Sequence, residues 1–237
     1  MADETKMRII NILKNTFDVL DNCYNNNDEA KSKANFGKAN SRLIFPSYSK
    51  GDRRISEQEL RFLFIEQFNL YCQKTGCDSY YSVETPTKGR YKFSGEKEPH
   101  KTDGNSGQSA MLDVCIHDKD GKRICLIEFK SGNPVKFCYW KDLVKLNSED
   151  GLSFFVHLME SQRRDTLGCV LSKIEDKLGK ANYILHTINS PRNMTQYISD
   201  SPEEYVNTKW NRLDLSDENI SAQIEEYKKK SLDNKQR

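Results

Sequence analysis

The sequence lacks a long apolar run, a surplus of charge of one sign and a paired cysteine framework, and each absence limits its function. In its 237 residues, 37 lysines and arginines stand against 35 aspartates and glutamates, so the formal net charge is +2. A protein that binds nucleic acid by charge alone is strongly basic. Any nucleic-acid contact of this chain must therefore come from local clusters of side chains.

The lack of long apolar runs and of paired cysteines also indicates in which cellular compartment the protein is expected. No stretch has the roughly 20 apolar residues that a membrane-spanning helix needs. The N-terminal sequence MADETKMRIINILK has neither the basic region nor the continuous apolar region of a signal peptide. The seven cysteines are scattered, and the nearest pair, Cys72 and Cys77, has no partners at zinc-site spacing. We therefore expect reduced thiols, a cytoplasmic location and no membrane partner.

The pattern of the chain divides it into three parts. Residues 1–55 combine an amphipathic helix with an Asn- and Lys-rich linker packed on the core. Residues 56–190 are the predicted core: a helix, three or four strands, a helix over FCYWKDLVKL, and two apolar strands, LSFFVHLM and ANYILHTI. Residues 191–237 are polar and predict a helical extension with a frayed basic tail. This order predicts an α/β fold with a mixed β-sheet core flanked by helices.

The stretch SAMLDVCIHDKDGKRICLIEFKSG predicts a β-hairpin with a tight turn at Asp120–Gly121. A two-residue turn there places Asp113 directly across from Glu128. Lys130 shares their face of the sheet, because side chains alternate along a strand. Apolar neighbours on both faces favour a central strand pair. We predict that one face carries Leu112, Val114, Ile116, Ile127 and Phe129, and that the other carries Met111, Cys115 and Leu126.

Two facing carboxylates among apolar neighbours favour a metal site. The carboxylates of Asp113 and Glu128 would repel each other, and one would be pushed towards protonation. A divalent cation between them removes the conflict, because Mg²⁺ takes hard oxygen ligands. The alternative is a hairpin whose Glu128 and Lys130 pair in solvent at a sheet end. A turn with one residue more or fewer would move Asp113 to the other face and remove the metal site.

Asp113 on one strand and Glu128-Phe129-Lys130 on the next resemble the PD-(D/E)XK nuclease superfamily. The resemblance covers roughly residues 56–190 and lacks the proline of the family's name, since Leu112 precedes Asp113. It implies the restriction-endonuclease-like fold and a Mg²⁺- or Mn²⁺-dependent endonuclease acting on nucleic acid, above all DNA. Many members of the family are homodimers, because cutting a duplex takes two cuts.

The resemblance also implies a role for each matching residue. Asp113 and Glu128 would be Mg²⁺ ligands, with the backbone carbonyl of Phe129 as a third. Lys130 would orient or help deprotonate the attacking water and counter charge on the phosphate. The metal would lower the pKa of that water and offset charge in the transition state.

The family places a further glutamate on the helix before the strands. Glu59 and Glu66 are both candidates, seven residues apart on nearly the same face of the helix. We prefer Glu59 as a catalytic residue, because it lies near the helix start beside the apolar stripe. The capping box that Glu59 forms with Ser56 explains it equally well, so Glu66 stays open.

The loop KGRYKFSGEKEPHKTDGNSGQ leads into the strand of Asp113 and could contact the substrate, with aromatic rings that stack on bases. A solvated loop is the alternative. The basic residues of the loop are Lys88, Arg90, Lys92, Lys97 and Lys101. The candidate substrate-binding residues are Gln108, Ser109, Lys92 and Lys141. Lys141 and Lys145 lie one helical turn apart on a helix whose equivalent in this family often lies near the active site, although a solvated helix face is the more common explanation. His157 is expected to be a hydrogen-bonded core histidine.

The alternative function is a catalytically inactive module that keeps the fold for nucleic-acid binding or assembly. The presence of Asp113, Glu128 and Lys130 together favours the enzyme, because a binding module needs no such cluster. A third hypothesis, a helical scaffold organised by the two ends of the chain, predicts no metal binding. DNA and RNA are both open as the substrate.

Overall fold

The computed structural model describes residues 2–26, 41–46, 48–49, 54–94, 98–104, 106–160, 164–188, 194–199 and 210–233. The predicted linker before residue 55 lies largely outside these residues, as do the end of the basic tail and Lys97. None of the helices in the described ranges combines the length and the apolar character that crossing a membrane requires.

The described residues form five α-helices and eight β-strands. The helices are α1 (Ala2–Asn26), α2 (Glu57–Thr75), α3 (Lys136–Ser148), α4 (Arg164–Ile174) and α5 (Glu218–Asp233). The strands are β1 (Tyr80–Lys92), β2 (His100–Thr102), β3 (Gln108–His117), β4 (Arg123–Ser131), β5 (Leu152–Met159), β6 (Asn182–Thr187), β7 (Met194–Ile198) and β8 (Asn211–Arg212).

All eight strands belong to one mixed sheet with the order β2-β1-β3-β4-β5-β6-β7-β8. The β1–β3–β4 meander is antiparallel, whereas β4, β5 and β6 run parallel to one another. A parallel neighbour requires a crossover, and α3 and α4 provide the two crossovers. The predicted α/β class with a mixed sheet flanked by helices is confirmed.

Helices cover both faces of the sheet, which explains why its central strands are apolar on both sides. On one face, α1 and α2 pack through residues such as Leu13 and Phe64 against Ile127 and Val156. On the other face, α3 and α4 pack through residues such as Leu143 and Val170 against the sheet. The acid-bearing strands β3 and β4 therefore lie inside a three-layer core.

The polar region after residue 190, where the sequence predicts only a helical extension, also contributes two strands to the sheet. β7 pairs antiparallel with β6, and β8 pairs with β7. The helix α5 then packs closely on α4, where a Cβ atom added at Gly168 would lie 2.8 Å from the Gln223 carbonyl oxygen. Such short strands carry too little periodicity for a pattern to indicate them.

The β3–β4 loop differs from the predicted two-residue turn. The Gly121 N–H donates to the Asp118 carbonyl (3.0 Å), and the Asp118 N–H donates to the Lys122 carbonyl (3.0 Å). Gly121 has a φ of +78°. This is a three-residue loop with a left-handed glycine, so the prediction of a turn confined to Asp120 and Gly121 is wrong.

A second irregularity restores the predicted register. His117 faces Arg123, whereas Ile116 faces Cys125, so Ile124 is an extra residue on β4. Such a β-bulge shifts the pairing by one residue. The longer loop and the bulge cancel, and Val114 faces Ile127, as a two-residue turn predicts. The register next to Asp113 and Glu128 is therefore the predicted one.

The ladder between β3 and β4 ends just before the acidic residues. Its last pair is Val114 with Ile127, and beyond it the Phe129 N–H donates to Oδ2 of Asp113 (2.8 Å) instead of to a backbone carbonyl. Leu112 belongs to the core cluster of Leu126, on the α3 side of the sheet. Val114 belongs to the core cluster on the α1 and α2 side, so the prediction that Leu112 and Val114 share one face is wrong. Met111, predicted to lie on a buried face, is about half exposed.

Candidate active site

Polar and charged side chains of β3, β4, α2 and α3 meet at the end of β4. We call these residues the acid–lysine cluster. Its members are Glu57, Asp113, Glu128, Lys130, Asp142 and Lys145. The cluster brings together the three residues of the predicted catalytic motif.

The alternation of β4 explains why Glu128 and Lys130 point towards α3. They share their face with Leu126, which packs in the core under α3. On α3, Asp142 and Lys145 are buried among the residues of the apolar stripe: Tyr139, Leu143 and Leu146. Their i, i+3 spacing puts both charges on the same side of the helix.

Lys145 is the most enclosed cation of the cluster. Its Nζ atom lies 2.6 Å from Oε1 of Glu128 and 2.9 Å from Oδ1 of Asp142. It also donates a hydrogen bond to the Met111 carbonyl (2.8 Å). The side chain is only 8% exposed. The prediction that Lys145 lies on a solvated helix face is wrong, because packing turns this face of α3 to the sheet.

Lys130 lies between the enclosed part of the cluster and solvent. Its Nζ atom is 2.7 Å from Oδ2 of Asp142 and 3.5 Å from Oε2 of Glu57. The Glu57 side chain, on the first turn of α2, is 41% exposed. The cluster therefore opens to solvent beside the start of α2.

Asp113 is held from two sides. While Oδ2 accepts the Phe129 N–H, Oδ1 lies 3.7 Å from the guanidinium of Arg61 on α2. Arg61 also pairs with Glu84 on β1. Glu84 lies between the β1 residues that face Leu112 and Val114 and has a φ of +46°, a left-handed conformation. Such strain in a residue other than glycine is typical of functional sites.

The burial of the cluster shifts its ionisation. Burial raises the pKa of Glu128 well above its ordinary value, and the charges of Asp142 and Asp113 raise it further against the opposing charge of Lys145. Burial also raises the pKa of Asp113, although the Phe129 N–H opposes this. Burial alone would lower the pKa of Lys130, but Asp142 and Glu57 outweigh it and raise that pKa. Lys130 is therefore a persistent cation.

The site carries an excess of negative charge. With every group ionised, five carboxyls face three cationic groups and leave two formal negative charges; the carboxyls are those of Glu57, Glu84, Asp113, Glu128 and Asp142, and the cations are Arg61, Lys130 and Lys145. A proton on Glu128, whose pKa is raised, would remove one of these negative charges. The atoms Glu128 Oε1 and Asp142 Oδ2 are buried and meet lysine ammoniums, yet neither has a hydrogen bond of good geometry. A divalent cation would balance this excess.

The donor set suits Mg²⁺ better than a metal that needs a full protein cage. Within the described ranges, no group of three or more His, Cys, Asp and Glu side chains has metal-binding spacing. Mg²⁺ often takes only one or two carboxylates and keeps several waters. The Phe129 N–H points to β3, so its carbonyl points the same way, to where the ladder has ended. Carboxylate and carbonyl oxygens are the donor types that Mg²⁺ takes, and Asp113, Glu128 and this carbonyl would be the donors.

The helix glutamate of the cluster is neither of the two candidates. Glu59 completes the predicted capping box: its Oε2 accepts the Ser56 N–H (3.0 Å), and its Oε1 pairs with Arg54 (2.5 Å). Glu66 is close enough to Cys23 of α1 to help raise the pKa of that thiol, after burial and against a hydrogen bond from Ser41. Glu57, which contacts Lys130, lies in the same SEQE sequence but was not predicted.

The four candidate substrate-binding residues lie on three elements: Lys92 at the end of β1, Gln108 and Ser109 at the start of β3, and Lys141 within α3. Gln108 and Ser109 are exposed at the start of β3, opposite the end of β1. Lys92 is exposed at the end of β1, and the Lys141 ammonium lies 5.1 Å from the ring centre of Phe93. Gln108 and Ser109 are neighbours on β3 and point to opposite faces of the sheet, so the four side chains lie near the start of β3 but do not all line one surface.

His157 is the hydrogen-bonded core histidine that the sequence predicts. It lies beside Lys130 in the parallel β4–β5 register. Its Nε2 lies 2.5 Å from the Gly132 carbonyl, and its Nδ1 lies 2.8 Å from the Tyr183 hydroxyl. The ring therefore donates through Nε2 and accepts through Nδ1 while neutral. Burial lowers the pKa of His157 to about 4, although the Gly132 hydrogen bond opposes this.

Acid should destabilise the fold through His157. The unfolded chain takes up a proton as the pH falls through about 6.5, and the folded ring does so only near pH 4. The stabilising contribution is thus complete above pH 6.5 and is lost as the pH falls towards 4. Urea denaturation should show a loss of about 2–3 kcal/mol between pH 7.5 and 4.5 that His157→Gln removes. His100→Gln, at an exposed position, is the control, and an equal pH dependence in His157→Gln would contradict this assignment.

Comparison of the chain with protein-family models, with curated protein sequences and with solved structures finds no match.

Proposed function

We propose that the protein is a Mg²⁺-dependent nuclease of the PD-(D/E)XK type, with a restriction-endonuclease-like fold, that hydrolyses phosphodiester bonds in DNA. The main support is the acid–lysine cluster, in which the Asp113, Glu128 and Lys130 of the motif converge at the end of β4. The register that aligns β3 with β4, and the fold around them, agree with this motif. RNA is the second substrate to test.

The chain's own residues would divide the work. Asp113, Glu128 and the Phe129 carbonyl would hold the metal, which when bound supplies a water of lowered pKa and charge neutralisation. Because neighbouring carboxylates raise the pKa of Lys130, it would act as a cation that orients the phosphate, not as a proton acceptor. Glu57, exposed beside Lys130, is the carboxylate on α2 best placed to bind a water.

The region around Gln108, Ser109, Lys92 and Lys141 would bind the substrate. These side chains are exposed or half-buried at one end of the strand that carries Asp113. Cations can contact phosphates, and Gln and Ser side chains can donate hydrogen bonds to phosphate or sugar. With a net charge of +2, a local region of this kind is how the chain would bind nucleic acid.

Cleavage of plasmid DNA tests the proposal. Wild-type protein with Mg²⁺ or Mn²⁺ should convert supercoiled plasmid to nicked or linear forms, and Asp113→Asn should lower the rate at least about 100-fold, because a metal ligand loses its charge. Asp150→Asn, an exposed aspartate outside the cluster, should cleave at the wild-type rate. Undiminished cleavage by Asp113→Asn, or no cleavage of DNA or RNA by the wild type, would contradict the proposal.

One contact favours the alternative of an inactive nucleic-acid-binding module. The Lys145 ammonium, 2.6 Å from Glu128, already neutralises a carboxylate that a metal would need. A module of this kind would shift DNA or RNA in a gel without cleaving either in Mg²⁺ or Mn²⁺. Charge removal at Lys92 and Lys141 would then weaken binding, whereas Asp113→Asn would leave it unchanged.

A further inference from the structure

We propose that Lys145 is an internal cation that competes with the divalent metal for Glu128, so that metal binding requires the ammonium to withdraw from this carboxylate. The inference rests on the proposed metal-dependent function and concerns how the site is controlled. Its basis is the set of atoms around Lys145 Nζ: two carboxylate oxygens and one backbone carbonyl oxygen, all within 2.9 Å.

These oxygens are the kind of ligand that hard cations take from proteins. The enclosure is nearly complete, since the side chains of Glu128, Asp142 and Lys145 are each less than one-tenth exposed. An ammonium at Oε1 of Glu128 and a divalent cation on the same carboxylate repel each other strongly, because water is scarce here. Occupation of Glu128 by one cation therefore opposes binding of the other.

The withdrawal needs the loss of only one of three contacts. In the structure, Nζ lies 2.9 Å from the Asp142 carboxylate and 2.8 Å from the Met111 carbonyl. If Nζ leaves Glu128, it can keep both of these contacts. Asp142 also remains paired with Lys130. The ammonium would thus move between two paired states inside the same pocket. No charge becomes unpaired in either state, which is the condition for a low-cost switch in a buried site.

The contact between Lys145 and Glu128 would set the metal concentration at which cleavage begins. Because the ammonium lies 2.6 Å from Oε1 of Glu128 in the metal-free protein, a divalent cation has to replace it there. Cleavage would therefore begin only when the divalent cation is concentrated enough to do so.

Direct titration with Mn²⁺ alone tests the competition without measuring cleavage. Calorimetry at fixed pH and ionic strength should give a dissociation constant at least about tenfold lower for Lys145→Met than for the wild type, because a nearby positive charge is removed. Lys136→Met, an exposed lysine of the same helix, should bind Mn²⁺ as the wild type does. Equal or weaker binding by Lys145→Met overturns the inference.

A second variant, Lys145→Gln, keeps the test possible if Lys145→Met fails to fold. Lys145→Gln also removes the charge but can donate a hydrogen bond to the Met111 carbonyl, and it should shift Mn²⁺ affinity in the same direction. Circular dichroism checks that both variants are folded. If the wild type binds Mn²⁺ and neither folded variant binds it more tightly, only the inference fails. If no protein binds Mn²⁺, the metal site of the proposed function fails with it.

Discussion

Lys130→Met is expected to slow Mg²⁺-dependent DNA cleavage by about 100- to 1,000-fold, the usual effect of removing one group that stabilises developing charge. The neighbouring carboxylates hold Lys130 in its charged form, so the variant removes a full positive charge from the phosphate site. Methionine keeps much of the length of the apolar stem, which limits the loss of packing.

The effect should fall on kcat more than on KM or metal affinity. Lys130 pairs with Asp142 and Glu57, not with Glu128, so Mn²⁺ binding measured by calorimetry should change little. Lys136→Met, whose ammonium lies 4.3 Å from the Trp140 ring centre, removes the same charge from the exposed part of α3 and should cleave normally. A Lys130→Met enzyme within about threefold of the wild-type rate would exclude the assigned role.

The hairpin was predictable only in part, because two local errors compensate. An Asp-Gly pair is compatible with a two-residue turn and with a three-residue loop that ends in a left-handed glycine. The sequence favours the first, and the chain adopts the second. The bulge at Ile124 restores the register, and nothing in a run of apolar residues distinguishes it. The pairing of Val114 with Ile127, next to Asp113 and Glu128, is therefore as predicted for a reason that the sequence does not contain.

The motif residues were predictable because alternation along a strand is a local property. Glu128 and Lys130 share a face of β4 whatever packs on it. The roles of Asp142, Lys145 and Glu57 depend on how α2 and α3 dock on the sheet, which is a tertiary property. A weak signal was present, since Asp142 and Lys145 flank the apolar stripe of α3, but charged residues at such positions usually lie in solvent.

Glu59 also shows that local structure is predictable from the sequence, whereas a role that depends on helix docking is not. Its capping box with Ser56 follows from four consecutive residues, and the structure confirms it. Its catalytic assignment needed the position of α2 relative to β4, and its two carboxylate oxygens contact Ser56 and Arg54 at the start of α2. Glu57, two residues earlier, contacts Lys130 instead. A shift of two positions turns a helical side chain by more than half a turn around the axis.

Glu149 is a buried acid that the sequence does not indicate at all. It follows α3 in the sequence NSEDG, which resembles an ordinary polar loop. Its side chain accepts the N–H groups of Lys88 (2.8 Å) and Gly89 (2.7 Å) and the Tyr91 hydroxyl (2.9 Å). The two backbone donors belong to the irregular part of β1, where the pairing with β3 shifts between Pro86 and Arg90. Glu149 therefore takes the place of a partner strand for this segment.

Glu149→Ala should destabilise the protein by about 3–5 kcal/mol, because it leaves two backbone N–H groups without acceptors and the guanidinium of Arg123, 3.7 Å away, without its carboxylate. Glu149→Gln should lose about half as much stability: its oxygen can still accept from Gly89 and Tyr91, but its amide group would face the Lys88 N–H.

The control is Asp150→Ala, at the exposed next position, which should change the free energy of unfolding by less than about 0.5 kcal/mol. Urea denaturation measures all three variants, and a loss below about 1 kcal/mol for Glu149→Ala would show that water or a rearranged β1 supplies the missing acceptors.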